Sequence, residues 1–287
     1  MTVGETIAAL GERFAAQDLF YGHGTDNALD EAYYLVFAAL ELDFSDTDLE
    51  LQRPLPQDDQ ERIERLAHRR IRERLPVAYL VGEAWFAGLP FHVDHRVLVP
   101  RSPMAELITA GFGGLLTRPP YRILDLCTGS GCIGIACAQQ FPGSRVDLAD
   151  IDAGALAVAQ RNVERHDVGD RVRILQSDLF DAVDGVYDLV ITNPPYVSDD
   201  EVSGLPREYH HEPVLGLRSD DGGMALPLRI LDQTAGYLAP GGLLVMEVGY
   251  SWPELERRCP RHPFLWLSFE GGGEGVLALT REQLSTV

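Results

Sequence analysis

Asn193-Pro194-Pro195-Tyr196 sets two hydrogen-bond acceptors and an aromatic ring at the end of a short apolar run, Tyr187-Asp188-Leu189-Val190-Ile191-Thr192. That run reads as an inner strand of a parallel sheet. A residue before proline is pushed out of the α region, so Asn193 leaves the strand extended or turning. The two prolines fix φ and carry no N–H, so the main chain here offers only carbonyls. The side-chain carbonyl of Asn193 and a proline carbonyl can together receive both hydrogens of one planar NH₂ group, with the flat face of Tyr196 beside it. Such a pocket suits an amide or an exocyclic base amine. Asn-Pro also marks ordinary turns, so the weight of the motif depends on what lies upstream.

Upstream, Leu124-Asp125-Leu126-Cys127-Thr128-Gly129-Ser130-Gly131 follows a strand and opens a helix. Gly129 and Gly131 let the backbone approach a ligand closely, and the helix N-terminus points N–H groups at it. At the end of the next strand lies Asp150, placed to accept both ribose hydroxyls of a nucleoside ligand. After the third strand, Ser177-Asp178-Leu179 puts a further acceptor where an adenine amino group would sit. Singly, the glycines read as a tight turn and Asp150 as a helix cap; together, in order on successive strand ends, they read as a nucleoside site. Counted with Cys127 in the first glycine position, the pattern departs from GxGxxG and has no correctly placed third glycine. With a C-terminal hairpin, this favours S-adenosylmethionine over NAD, with Asp125 and Leu126–Thr128 facing the methionine part.

These residues need strands and helices to position them, and the pattern supplies both. Strands are predicted at Arg122–Leu126, Arg145–Ala149, Arg171–Gln176, Tyr187–Thr192 and Leu243–Val248, with helices at Cys132–Phe141, Gly154–His166 and Met224–Leu238. The alternation implies a doubly wound parallel sheet. Phe264–Phe269 and Val276–Thr280, joined by Glu270-Gly271-Gly272-Gly273-Glu274-Gly275, read as a terminal hairpin that adds an antiparallel strand. The first 75 residues read as helical. Asp26 or Asn27 caps a helix through Glu41 with Leu29, Tyr33, Val36, Phe37 and Leu40 inward. A second helix, Asp58–Arg74, buries Ile63, Leu66, Ala67, Ile71 and Leu75. Its arginine- and glutamate-rich side reads as a solvated face with pairs such as Glu61–Arg65. Pro76 ends this unit. Ala84-Trp85-Phe86 and Pro90-Phe91-His92-Val93 then form a hairpin that continues as an extended Arg96-Val97-Leu98-Val99. His92 and His95 fall on opposite faces of such a strand, so no metal pair is expected.

Composition narrows the class. The chain has 287 residues, 45% apolar and 24% charged, as in a soluble globular protein of about two domains. No N-terminal signal pattern or membrane span is expected. The four cysteines, Cys127, Cys132, Cys137 and Cys259, form no CxxC pair, which suits a reduced cytoplasm and suggests neither zinc nor a disulfide framework. All 24 basic residues are arginine and the formal charge is −20. That balance opposes nonspecific phosphate-backbone binding and suits a basic partner, although composition bias can produce it too.

Over nearly its full length the chain resembles the bacterial N(5)-glutamine protein methyltransferases, in which Asn193-Pro194-Pro195-Tyr196 would be the substrate motif. Amino-directed DNA methyltransferases carry a similar one. Within the family, Pro100-Arg101-Ser102-Pro103-Met104-Ala105-Glu106, Cys127-Thr128-Gly129-Ser130-Gly131-Cys132, Tyr209-His210-His211-Glu212-Pro213 and Trp266-Leu267-Ser268-Phe269-Glu270 are similar to the PrmB-type branch. The release-factor branch reads Pro-Arg-Pro-Asp/Glu-Thr-Glu after the hairpin. The resemblance implies a seven-stranded, Rossmann-like S-adenosylmethionine-dependent methyltransferase with a C-terminal antiparallel hairpin. It implies three parts: a helical substrate-recognition domain (1–75), a hairpin linker (76–103) and a catalytic domain (104–287). The substrate would be a glutamine of the large-subunit ribosomal protein uL3, free or in an assembling particle. Cofactor contacts carry over to Cys127–Gly131, Asp150, Asp178 and Leu179, with Asn193 between the two ligands, and substrate contacts to Asn193, Pro194, Pro195 and Tyr196.

A carboxamide nitrogen is a poor nucleophile because its lone pair is delocalised. Acceptors that draw on both N–H groups would aim it at a methyl donor and support the positive charge that develops. No side-chain base stands out, and His210 and His211 read as loop packing or capping. The alternatives are a release-factor glutamine methyltransferase, a DNA amino-methyltransferase, which the acidity and lack of a target-recognition domain disfavour, and a non-catalytic ribosome-assembly module. No sequence-specific nucleic-acid binding is expected.

Overall fold

The computed structural model describes residues 1–42 and 47–286. The chain opens with α1 (Val3–Ala15), α2 (Ala28–Ala39), α3 (Thr47–Gln52), α4 (Gln57–Glu73) and α5 (Val77–Val81). Thr2 starts α1 through a capping box with Glu5, and Asn27 rather than Asp26 caps α2 by accepting from the amides of Leu29 and Asp30. Val3, Phe14, Leu35, Phe37, Ile63 and Val77 belong to one buried core. α2 stops at Ala39, short of the expected Glu41, and Glu41 turns the chain away with φ 53°. Leu29, expected inside, is 55% exposed, because it lies over Gly11 at the edge of the α1–α2 contact. α4 carries its ion pair at Arg69–Glu73 rather than Glu61–Arg65, and Glu61 accepts from Gln57 instead. One arginine of the supposedly solvated face, Arg70, is fully buried.

A two-residue turn, Ala87-Gly88, joins β1 (Glu83–Phe86) to β2 (Leu89–His92) in the expected hairpin. The strand expected at Arg96–Val99 does not form. The segment is held by side chains instead of a ladder: the Tyr79 hydroxyl donates to the Val97 carbonyl at 2.5 Å, and the Val99 amide donates to Glu212 at 2.9 Å. Pro100 and Pro103 bracket its end and have no N–H for pairing.

The rest of the chain runs α6 (Met104–Thr109), β3 (Arg122–Leu126), α7 (Cys132–Gln140), β4 (Arg145–Asp150), α8 (Ala153–Arg165), β5 (Val172–Gln176) and β6 (Tyr187–Thr192). It continues through α9 (Asp199–Gly204), α10 (Val214–Leu217), α11 (Ala225–Thr234), β7 (Leu238–Glu247), α12 (Trp252–Arg258), β8 (Leu265–Trp266), β9 (Val276–Thr280) and α13 (Arg281–Ser285). Seven strands form one sheet in the order β5-β4-β3-β6-β7-β9-β8. The first five are parallel; β9 runs antiparallel to β7, as the terminal hairpin predicted, and β8 pairs antiparallel with β9 and so runs with the first five. α6, α7 and α8 bury one face around Ile123, Leu148, Leu189 and Val245. α11, α12 and α13 bury the other around Leu124, Val190, Leu244 and Met246. Chain order reverses between β3 and β6, the place where open α/β sheets bind ligands beyond the carboxyl ends of their strands. Among the described residues no helix is long and apolar enough to cross a membrane.

Candidate active site

Strand register brings the distant motifs together. Leu126 pairs with Ala149 on one side and Thr192 on the other, and Asp150 pairs with Gln176. Cys127, Asp150, Ser177 and Asn193 therefore stand side by side at the carboxyl edge of the sheet. There they line one cavity of about 310 Å³, together with Thr128, Gly129, Ser130, Asp178, Leu179 and Pro194–Tyr196. That volume is within the usual range for a small-molecule site. Two residues at its corners adopt backbone conformations that side chains seldom take: Cys127 with φ 56° and Leu179 with φ 48°. Such strain is typical of functional loops. Gly129, with φ 55°, has no heavy atom within 4 Å of where a Cβ would be, so its main chain opens directly on the cavity.

Asp150 is already engaged. One carboxylate oxygen accepts from the Gly129 amide and the other from the Asp152 amide, each at 2.9 Å. It does not cap α8; Asp152 does. Burial raises its pKa, against the pull of these amide bonds. Asp150 lines the cavity as well, and a carboxylate oxygen that accepts one hydrogen bond has a second lone pair to offer. Asp178 accepts from Arg229 at 3.2 Å, and both line the same cavity.

Asp125 and Gly131, expected among the ligand contacts, are not in the cavity wall. Asp125 is fully buried beneath the loop, where it accepts from the Thr128 hydroxyl and from the Gly134 amide, the latter at 2.9 Å. Burial pushes its carboxyl up to about 7, against those two hydrogen bonds. Gly131 caps α7 with φ 81°. Contrary to the expectation from the sequence, a third glycine is in place at Gly134: a Cβ there would sit 2.2 Å from Leu148 and 3.0 Å from Asp125, so glycine is what lets α7 press on the sheet. The run Gly129–Gly134 is thus a full GxGxxG, and the preference for S-adenosylmethionine over NAD rests on the antiparallel hairpin rather than on the glycines.

At the other end of the cavity, among the described residues, no protein hydrogen bond engages the side-chain amide of Asn193, which leaves its carbonyl for a ligand. The Tyr196 hydroxyl donates to Glu247 Oε1 at 3.1 Å, and the Ser102 hydroxyl donates to Glu247 Oε2 at 2.5 Å. Burial and the Glu247 charge push the Tyr196 hydroxyl pKa up, so it stays protonated. Gly249 and Gly223 make room for this residue. A Cβ on Gly249 would meet the Tyr196 ring at 2.8 Å, and one on Gly223 the Tyr196 carbonyl at 2.2 Å.

The segment 205–217 contributes to the cavity wall and is tied to the N-terminal helices. On the way out of the motif the Val197 amide donates to the Leu217 carbonyl, and the Ser219 amide, just past the segment, donates to the Val197 carbonyl. Pro213, Leu215 and Leu217 line the cavity. Glu208 accepts from Arg70 at 3.0 Å and from the Phe20 amide at 3.1 Å, and Arg70 also donates to Glu31 at 2.9 Å. Glu212 forms a two-pronged pair with Arg101 at 2.6 and 2.7 Å, with His23 at 3.6 Å. Burial opposes the Glu212 charge, but Arg101 and His23 outweigh it and hold the carboxyl down at about 2. His211 contacts the Glu73 carbonyl at 2.8 Å at the end of α4, and His210 is exposed, so neither faces the cavity. Arg101, Ser102 and Glu212 lie in motifs that sequence reasoning singled out without giving them chemistry. Glu247 went unnoticed, although a lone carboxylate at the carboxyl end of an inner strand was the signal to follow.

Residues 114–205 match the methyltransferase small domain family, and residues 15–82 match the PrmC N-terminal domain. The ribosomal protein uL3 glutamine methyltransferase of Francisella tularensis is 42% identical over 287 residues, covering 99% of this chain and 91% of that protein. The protein of the same name from Bordetella pertussis is 43% identical over 288 residues, covering 99% and 97%. Among solved structures, the hMettl16 catalytic domain in complex with MAT2A 3'UTR hairpin 6 shares the fold, with a TM-score of 0.53 and 17% identity over 78% of this chain and 82% of that one.

Proposed function

We propose that this chain, which belongs to the ribosomal protein uL3 glutamine methyltransferase family, methylates the side-chain nitrogen of a glutamine in uL3 with S-adenosylmethionine as donor. The observation that carries the reading is the convergence of Asn193–Tyr196 with Cys127–Ser130, Asp150 and Asp178 on one cavity. The bound cofactor supplies a sulfonium methyl already activated for transfer. The residues present fit it: the open main chain at Gly129 for the methionine part, the Asp150 carboxylate for the ribose, and Asp178 with Leu179 for the adenine amino group. Asn193 stands at the junction of cofactor and substrate. Its side-chain carbonyl and a proline carbonyl receive the two amide hydrogens, orient the nitrogen and favour the charge it gains. Tyr196, wedged against Gly249, stands beside the amide.

We further propose residues 1–75 as the substrate-recognition unit, 76–103 as the linker and 104–287 as the catalytic unit. The separate helical core supports the first, and α5 packing on that core ties the linker to it. We place the enzyme in the cytoplasm with uL3 as its partner, free or in an assembling particle, and with no membrane or sequence-specific nucleic-acid partner. Incubating the enzyme with labelled cofactor and separated ribosomal proteins and release factors tests the reading. Label on a uL3 glutamine is the expected result. Label on release factor in preference would transfer the chain to the other branch, and no label on either would leave the non-catalytic reading.

A further inference from the structure

Methylation leaves a proton to be disposed of. As the nitrogen–carbon bond forms and the sulfur–carbon bond breaks, the sulfur becomes a neutral thioether and the nitrogen holds one hydrogen too many. The carbonyls of Asn193 and a proline can hydrogen-bond that hydrogen but cannot keep it, because protonated amides are strong acids.

We infer that the proton passes to the Tyr196 hydroxyl oxygen while the Tyr196 hydroxyl hydrogen passes to Glu247, so that Tyr196 touches the substrate and Glu247 is the positioning residue behind it that ends with the proton. The inference rests on the proposed reaction at this same site. Four observations carry it. Met246 registers with Thr192 across β6 and β7, so Glu247 lies level with Asn193 on the neighbouring strand, about 5 Å away in a sheet. Glu247 is 6% exposed yet lines the cavity. Its Oε1 already receives the Tyr196 hydroxyl, in the direction a relay needs. The other carboxylates in the wall, Asp150, Asp152 and Asp178, stand at the ends of β4 and β5 or just beyond them, away from Asn193.

The surroundings suit a base. Burial raises the Glu247 pKa, opposed by the Ser102 and Tyr196 hydroxyls and by the Arg101 charge. Arg101 is itself neutralised by Glu212 and lies over the Tyr209 ring, so no cation is paired directly with Glu247 among the described residues. A carboxylate held above its ordinary pKa is a better proton acceptor than an exposed one.

The test compares wild type with Glu247→Gln and Tyr196→Phe on whichever protein the wild type labels. Turnover, its pH profile, cofactor affinity by calorimetry and thermal midpoint are measured together. Each single variant should keep its cofactor affinity and lower kcat about a hundredfold, as for loss of a proton-transfer partner. The double variant should be no slower than either. The fall in kcat toward acid pH, where Glu247 protonates, should vanish in Glu247→Gln, and Glu247→Asp should recover part of the rate. A Glu247→Gln or Tyr196→Phe enzyme within twofold of wild-type kcat, with the acid limb unchanged, overturns the relay. Should Glu247→Gln fail to fold, Tyr196→Phe, which keeps the ring, decides by the same criterion. A wild type that labels no glutamine overturns the functional reading itself, a different result from a labelling wild type with unaffected variants.

Discussion

Asp150 holds two loops before any ligand arrives, with the Gly129 and Asp152 amides bound to its two oxygens. Its removal therefore takes away the proposed ribose acceptor and the carboxylate that ties the Gly129 amide at once. Asp150→Ala should weaken cofactor binding by about 1–3 kcal/mol, the scale of charge-assisted hydrogen bonds. Calorimetry giving an unchanged dissociation constant in a folded variant would sink the ribose assignment. Asn193 is different, since among the described residues no protein hydrogen bond engages its side-chain amide. Asn193→Ala should leave cofactor affinity near wild type and lower kcat about a hundredfold or more, and near-wild-type turnover would show that the amide clamp is wrong. Both residues were legible as polar groups at strand ends. Asp125 looked the same in sequence, but its side chain points beneath the loop to Gly134, and only the packing of α7 on the sheet shows this.

The segment 205–217 carries Tyr209–Pro213, which the sequence offers as a family likeness without a chemical role, and the structure pairs two of its buried carboxylates with arginines. Its Glu212 links Arg101 and the Val99 amide to the cavity rim in place of the β-ladder expected for Arg96–Val99. Breaking a buried ion pair from one side leaves an uncompensated charge, so Glu212→Gln should cost about 3–5 kcal/mol at pH 7. The pH dependence follows from the sign of the shift. A carboxyl held down at about 2 in the folded protein contributes stability that is present above its ordinary pKa and lost as pH falls toward the folded value. The stability gap between wild type and Glu212→Gln, read by denaturant unfolding, should therefore be flat near neutrality and narrow below about pH 4.5. A gap that stays constant down to pH 3 would assign the loss to packing rather than to the charge pair.

Across the whole molecule, the N-terminal helices and the segment 205–217 share a buried cluster, Arg70 with Glu31 and Glu208. Deleting residues 1–75 would strand Glu208 without its cation, so truncation would confound recognition with stability. Salt is the cleaner probe of how substrate arrives. The chain carries a formal charge of −20, and ribosomal proteins are basic, so encounter should be steered electrostatically. With uL3 as substrate, kcat/KM should fall as ionic strength rises, because exposed charges are screened beyond about 10 Å at 0.1 M. kcat at saturation should change little. A kcat/KM insensitive to salt would remove the acidic surface from substrate recognition.

Local pattern determined much of this protein. Apolar runs bounded by turns gave β3 and β6 their full extents, and proline and asparagine chemistry marked the acceptor array at Asn193–Tyr196, because these signals depend only on near neighbours. The order of glycine turn, Asp150, Asp178 and Asn193 along the chain was enough to expect one site. Which of those side chains reach the cavity was decided in three dimensions. Asp125 alternates to the face that α7 covers, Glu247 comes level with Asn193 only through the β6–β7 register, and Arg70 leaves the solvated face of α4 because Glu31, the Phe20 carbonyl and the distant Glu208 all meet it there. Long-range pairing of buried polar groups leaves no periodic trace in a sequence, since each partner taken alone looks like a surface charge.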